Sequence, residues 1–181
     1  MYKRLYYRFI IILNSLSIRL LALSRGSWIS LGATIHIHSG GCLKIGQRVG
    51  IAKNAVLSVL PGAILELKDG CMIGHGVTIF CANSVVVGAQ SRIAHYCSLV
   101  DHDYDIHAGE SWFEGPKISS PIIMGDKVWL GAHAIILKGV TIGRQCVIGA
   151  QAIVLKSVPE GMLVYRHSNG QLTQKAIMVR L

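Results

Sequence analysis

Residues 124–159 read MGDKVW LGAHAI ILKGVT IGRQCV IGAQAI VLKSVP when cut into sixes. Each block opens on an aliphatic side chain: Met124, Leu130, Ile136, Ile142, Ile148 and Val154. Gly125, Gly131, Gly143 and Gly149 follow at the second place. The fifth place is small or β-branched throughout: Val128, Ala134, Val140, Cys146, Ala152 and Val158. A period of six is neither the period of a helix nor the simple alternation of a strand. It is the spacing of a parallel β-helix, in which each six residues supply one short strand and one turn. The opening aliphatic is expected to point inward and stack on its equivalents above and below. The fifth residue also faces inward, where only a compact side chain fits. Glycine after the aliphatic is expected to supply corner angles that a Cβ penalises. One block buries little alone, so stability accumulates coil upon coil.

Outward from this stretch, hexads in register begin at Ile45 and Ile51, slip at Pro61-Gly62, and resume at Leu67, Ile73 and Ile79. A second slip precedes Val87, Ile93 and Leu99. The blocks predict an all-β solenoid over residues 28–160, with three hexads to a coil. One interruption is large. Residues 100–121 break the period with VDHDYDIHAGESWFEGPKISSP, and carry many of the ionisable and aromatic side chains. A long excursion from a regular scaffold is usually a binding or catalytic element.

Residues 1–27 differ in kind. Leu5, Phe9, Ile12, Leu13, Leu16, Leu20 and Leu23 fall at helical spacing, with Arg4, Arg8, Ser15 and Arg19 along another side. Asn14, Ser15 and Arg19 break the apolar run, which is too short to span a bilayer. Arg19 also spoils a signal-peptide reading, and no A-x-A site follows. Two readings stay open for residues 1–25: a helix that caps the first coil, or an interfacial helix on an anionic membrane. Beyond Pro159 the chain is expected to leave the coil, with 161–181 a terminal segment.

The formal charge is +9, from 18 basic and 9 acidic residues, which favours anionic partners. Nucleic acid is the weakest of these, because the basic residues form no reading module. Five cysteines without a CxxC pair argue against a disulfide framework and for a reducing, cytoplasmic compartment. Cys146 sits at a fifth place, and burial is the expected role for it, Cys71 and Cys97.

The hexads, DHDYDI (residues 101–106), VWLGAHAIILKGVTIG (128–143) and VIGAQAIVLKSVP (147–159) together resemble the hexapeptide-repeat acyltransferases. The likeness extends over roughly residues 40 to 160, and is nearest to bacterial polysaccharide and sugar O-acetyltransferases such as the maltose and galactoside acetyltransferases. It implies a left-handed parallel β-helix, a homotrimer with sites between subunits, and acetyl-CoA as co-substrate with no metal. It also implies a carbohydrate acceptor in polysaccharide biosynthesis, at the inner membrane face where the precursor is lipid-linked.

By that resemblance His102 is the catalytic histidine, an imidazole able to take a proton from a sugar hydroxyl near neutral pH. Asp101, Asp103, Tyr104, His107 and Trp129 are candidate acceptor contacts. Strand alternation is expected to turn Asp101 and Asp103 away from His102. The cofactor groove would be lined by Gly131, Ala132, Gly149, Ala150 and Lys156, with Arg166 a candidate phosphate contact. Leu155-Lys156-Ser157 and VYRHSNGQ (164–171) depart from the family's Thr-Lys-Asp and Gly-Asn-Pro-Ala segments. His75, His95 and His133 fall outward near corners and are expected at the surface or between subunits. Competing readings are N-acetylation of an amino sugar nucleotide, a zinc carbonic-anhydrase-like β-helix using His102 and His107, and a silent scaffold.

Overall fold

The structure is a computed structural model that describes residues 16–105, 107, 116–166 and 170–177. Short parallel strands stack into three faces of a prism. The first face holds Trp28–Ile29, Gly50–Ile51, Met72–Ile73, Arg92–Ile93, Trp129–Leu130, Val147–Ile148 and Met162–Arg166. The second holds Thr34–Ile37, Val56–Val59, Thr78–Cys81, Ser98–Val100, Ile135–Leu137 and Ile153–Val154. The third holds Cys42–Ile45, Ile64–Leu67, Ser84–Val87, Ile122–Met124 and Thr141–Ile142. The chain visits the faces in that order, so successive coils lie in register: Arg92 pairs with Met72 below and Trp129 above.

The hexad places do what their chemistry requires. Ile51, Ile73, Ile93, Leu130, Ile148 and Val164 form one buried column on the first face. Each such side chain contributes roughly 1.5–3 kcal/mol by leaving water. Fifth-place residues make a second column, with Ala55, Val77, Cys97, Ala134 and Ala152 buried at the corner between the first two faces. Cys71, Cys97 and Cys146 are all buried, and the Cys146 thiol donates to the Pro159 carbonyl at 2.9 Å.

The second-place glycines serve a purpose other than corner angles. Positive φ falls instead at the fourth place, on Lys127, His133, Gln145 and Gln151. What Gly125, Gly131 and Gly143 provide is closeness between coils. A Cβ on Gly131 would lie 2.6 Å from the Ala150 amide nitrogen, and one on Gly143 2.4 Å from that of Glu160.

At the amino end residues 16–24 are helical. Arg19 donates to the carbonyls of Ile29, Ser30 and Ala33 at 2.9, 2.6 and 2.9 Å, tying the helix to the first coil. Ala22, Ile18 and Arg19 form the side of the helix that faces the solenoid, while Leu16, Leu20, Leu21 and Leu23 are more than half exposed. No helix among the described residues is long and apolar enough to cross a membrane. The expected leucines and arginines of residues 1–15 lie outside the described residues.

At the carboxyl end the chain does not leave the coil at Pro159. Leu163 and Val164 continue the first face beside Val147 and Ile148. Leu172–Ala176 then folds back antiparallel on Met162–Arg166. The reason is that Val164 supplies one more inward aliphatic, 1% exposed, where the hexad pattern has already lapsed.

Candidate active site

The excursion opens at the corner between the second and third faces. Ser98–Val100 ends there, and His102–Tyr104 turns outward to pair antiparallel with Lys117–Ser119. Backbone bonds from Asp105 to the Pro116 carbonyl and from Ser120 to the Asp101 carbonyl close the neck.

Asp101 is wholly buried at the turn. Its two carboxylate oxygens accept the amide N–H groups of Ala82 and Asn83, in the preceding coil, at 2.7 and 2.8 Å. Oδ1 also lies 3.1 Å from Nδ1 of His102, whose side chain is 13% exposed. Strand alternation does not hold here because the chain bends at Asp101, so the acid turns toward the ring rather than away from it. The carboxylate is thereby set against the imidazole and out of contact with solvent. With a carboxylate accepting from Nδ1–H, the neutral ring carries its free lone pair on Nε2. Beneath the pair sits the Cys81 thiol, pushed up to about 12 by burial and then by the Asp101 charge.

Asp103 is paired with Lys138 of the following coil. Tyr104 is 43% exposed, and the Lys117 ammonium stands 5.9 Å from its ring centroid. His107 is exposed, its amide donating to the Asp105 carboxylate at 3.0 Å. Lys156 is exposed at this same corner, beyond the coil of Lys138.

The remaining expected residues lie elsewhere on the chain. Trp129, 54% exposed, projects from the first face, across the prism from His102. Gly131, Ala132, Gly149 and Ala150 fall at the corner between the first and second faces. Arg166 ends the last strand of the first face and is exposed. A single chain therefore gathers Asp101, His102, Asp103 and Lys156 at one corner and does not bring Trp129 or the small residues to them.

Lys138, Asn83 and Ser119 also line the neck, with Asn83 Nδ2 donating to Ser119 Oγ at 3.3 Å. Their signal in the sequence is positional: Lys138 is the first cation at this corner after the excursion. At the corner between the first and second faces, Tyr96 stacks on His133 with centroids 5.3 Å apart, and His95 meets both rings edge-on. Among the described residues no group of three or more His, Cys, Asp or Glu is placed to hold a metal.

The family model described as bacterial transferase hexapeptide (six repeats) matches residues 121–156. A putative lipopolysaccharide biosynthesis O-acetyl transferase, WbbJ of Escherichia coli K12, is 25% identical over 137 residues, 71% of this chain and 70% of that protein. The Escherichia coli galactoside O-acetyltransferase is 37% identical over 102 residues, 56% of this chain and 50% of that one. Nodulation protein L of Rhizobium leguminosarum is 34% identical over 125 residues, spanning 67% of this chain and 54% of that protein. Apart from WbbJ, the chain spans about half the length of these relatives.

Among solved structures, AntD, an N-acyltransferase from Bacillus cereus in complex with dTDP and 3-hydroxybutyryl-CoA, superposes with TM-score 0.69 at 17% identity, covering 86% of this chain and 82% of that one. The polySia-specific acetyltransferase NeuO gives 0.60 at 21%, covering 86% and 79%. At such identities the likeness is one of fold. The repeats and the coiled architecture define a parallel β-helix of hexapeptide repeats. With its named relatives, the chain is similar to hexapeptide-repeat acetyltransferases.

Proposed function

We propose that the chain transfers an acetyl group from acetyl-CoA to a sugar hydroxyl of a surface polysaccharide or its lipid-linked precursor, with His102 as general base. The observation that carries this is the Asp101–His102 pair: a buried carboxylate fixed by two backbone amides orients an imidazole at the mouth of the excursion. The acceptor oxygen attacks the thioester carbonyl while Nε2 takes its proton. Collapse of the tetrahedral adduct breaks the C–S bond, and the proton passes from the imidazolium to the departing thiolate.

The O-acetyl reading over N-acetylation is favoured by the relatives found by sequence, WbbJ and the galactoside enzyme, which are named O-acetyltransferases. Hydroxyl and amino sugars compared as acceptors separate the two. Acetyl-CoA, a long and thin co-substrate, would lie along the corner of Gly131, Ala132, Gly149 and Ala150, where Ala132, Gly149 and Ala150 are small and at least partly exposed. Because Trp129 and those residues lie away from His102, the reading includes a homotrimer in which neighbouring chains complete each site. The lipid-linked version draws on the outward leucines at 16, 20, 21 and 23, and fails if the protein ignores anionic liposomes.

The test is thiol release from acetyl-CoA with a panel of saccharides. His102→Ala is expected to lower the rate by about 10²-fold or more. Retention of the full rate with a working acceptor would sink the proposal.

A further inference from the structure

The corner between the third and first faces carries a chemistry that the proposed transfer does not use. Arg48, Gly70, Gln90, Lys127, Gln145 and Gly161 occupy equivalent places in successive coils there, in one amide ladder, and Arg48, Gln90 and Lys127 carry long polar side chains. Each of the three has positive φ, at 53°, 58° and 57°. Glycine fills the place at 70 and 161 without the strain that a Cβ brings to that conformation, so the long side chains are held at a cost. With Gly70, Met72 and Arg92 they line a cleft of about 520 Å³ beside the first face.

The charge of the cleft is one-sided. Arg48, Arg92 and Lys127 bring three cations, and no carboxylate lines it. The acids of this corner are occupied otherwise: Asp69 accepts the Gln47 amide and Asp126 the Ala89 amide, each at 2.8 Å. Glu160 is paired with Arg144 further along. Among the described residues Arg48 and Lys127 have no ion-pair partner, and the Arg92 guanidinium makes one bond of 3.3 Å, to the Gly70 carbonyl. Two guanidinium forks and an ammonium around a cleft of this size suit adjacent phosphate groups, which accept paired N–H donors. Trp129, the register partner of Arg92, adds an exposed aromatic surface alongside.

We propose that this cleft holds the phosphates of the acceptor, a saccharide carried on a diphosphate. This rests on the acetyltransferase reading only for the word acceptor. The anion site itself stands on the three cations. It lies at a different corner from Gly131, Ala132, Gly149 and Ala150, the lining suggested for acetyl-CoA.

Calorimetric titration of the full-length protein at low salt tests it with three probes: inorganic pyrophosphate, a uridine-diphosphate sugar and coenzyme A. The Arg92→Gln/Lys127→Gln double variant is expected to bind the first two at least about tenfold more weakly, with coenzyme A unchanged. Arg48→Gln alone, a change at an exposed position, is expected to move both in the same direction and serves if the double variant unfolds. Unchanged affinity for both probes overturns the proposal, as does failure of the wild type to bind either. Equal loss of coenzyme A binding assigns the cleft to the donor and overturns it as well. His102→Ala is expected to bind all three normally. If that variant still transfers acetyl groups while the double variant has lost anion binding, only the catalytic reading falls.

Discussion

Asp101 Oδ1 lies 3.1 Å from His102 Nδ1 while both Asp101 oxygens are held by amides of the coil below. Asp101→Asn replaces one acceptor by an N–H₂ group that faces either an amide donor or the ring. The expected result is a fall in kcat of about 10²–10⁴ with little change in KM, because the ring loses its tautomer and its aim. Unfolding in urea should also show a loss of roughly 1–3 kcal/mol, from the amide left unsatisfied. A variant with unchanged kcat would remove Asp101 from the mechanism.

Arg19 holds the carbonyls at the open end of the first coil. Arg19→Ala is expected to destabilise the protein by roughly 1.5–3 kcal/mol. Hydrogen exchange should quicken first in residues 28–37. Arg19→Lys should rescue only part, since an ammonium cannot fork to several carbonyls.

Gly88 has the tightest inter-coil approach, with a Cβ there falling 2.1 Å from the Gly125 carbonyl oxygen. Gly88→Ala is expected to cost about 1–3 kcal/mol or more in urea unfolding, as overpacking does. Gly62→Ala makes a useful contrast. Its Cβ would meet nothing within 4 Å, and only the strain of φ 76° opposes it.

Burial pushes the Cys71 thiol from 9.0 up to about 12. The folded state therefore keeps a proton that the unfolded chain releases, so the contribution of Cys71 is full below pH 9 and is lost as pH rises toward 12. The stability difference between wild type and Cys71→Ala should narrow across that window, as measured by urea midpoints. In the native protein a thiol reagent should titrate Cys42, which is exposed, and leave Cys71, Cys81, Cys97 and Cys146 until unfolding.

The solenoid was legible because period and burial are the same fact in a β-helix. Ile136 and Val140 are both inward because six residues turn the chain by one face. The excursion was legible as a failure of that period. Other features depend on contacts between coils, which no local pattern carries. The role of Gly131 could not be told from its own neighbours, because the atom it makes room for belongs to Ala150, nineteen residues on. Asp101 was misjudged through strand alternation, since nothing local announces that the chain bends there to reach Ala82 and Asn83. Leu163 and Val164 escaped the hexad count because they continue the face without the repeat.

The excursion leaves and returns through a narrow neck, Asp105 to Pro116. Asp101 and His102 lie on the coil side of it, with Asp101 anchored to Ala82 and Asn83 of the neighbouring turn and His102 bonded to Asp101. The ring of His102 therefore takes its direction from the solenoid itself, so that on the proposed reading loosening one coil would blunt proton transfer before it unfolds the chain.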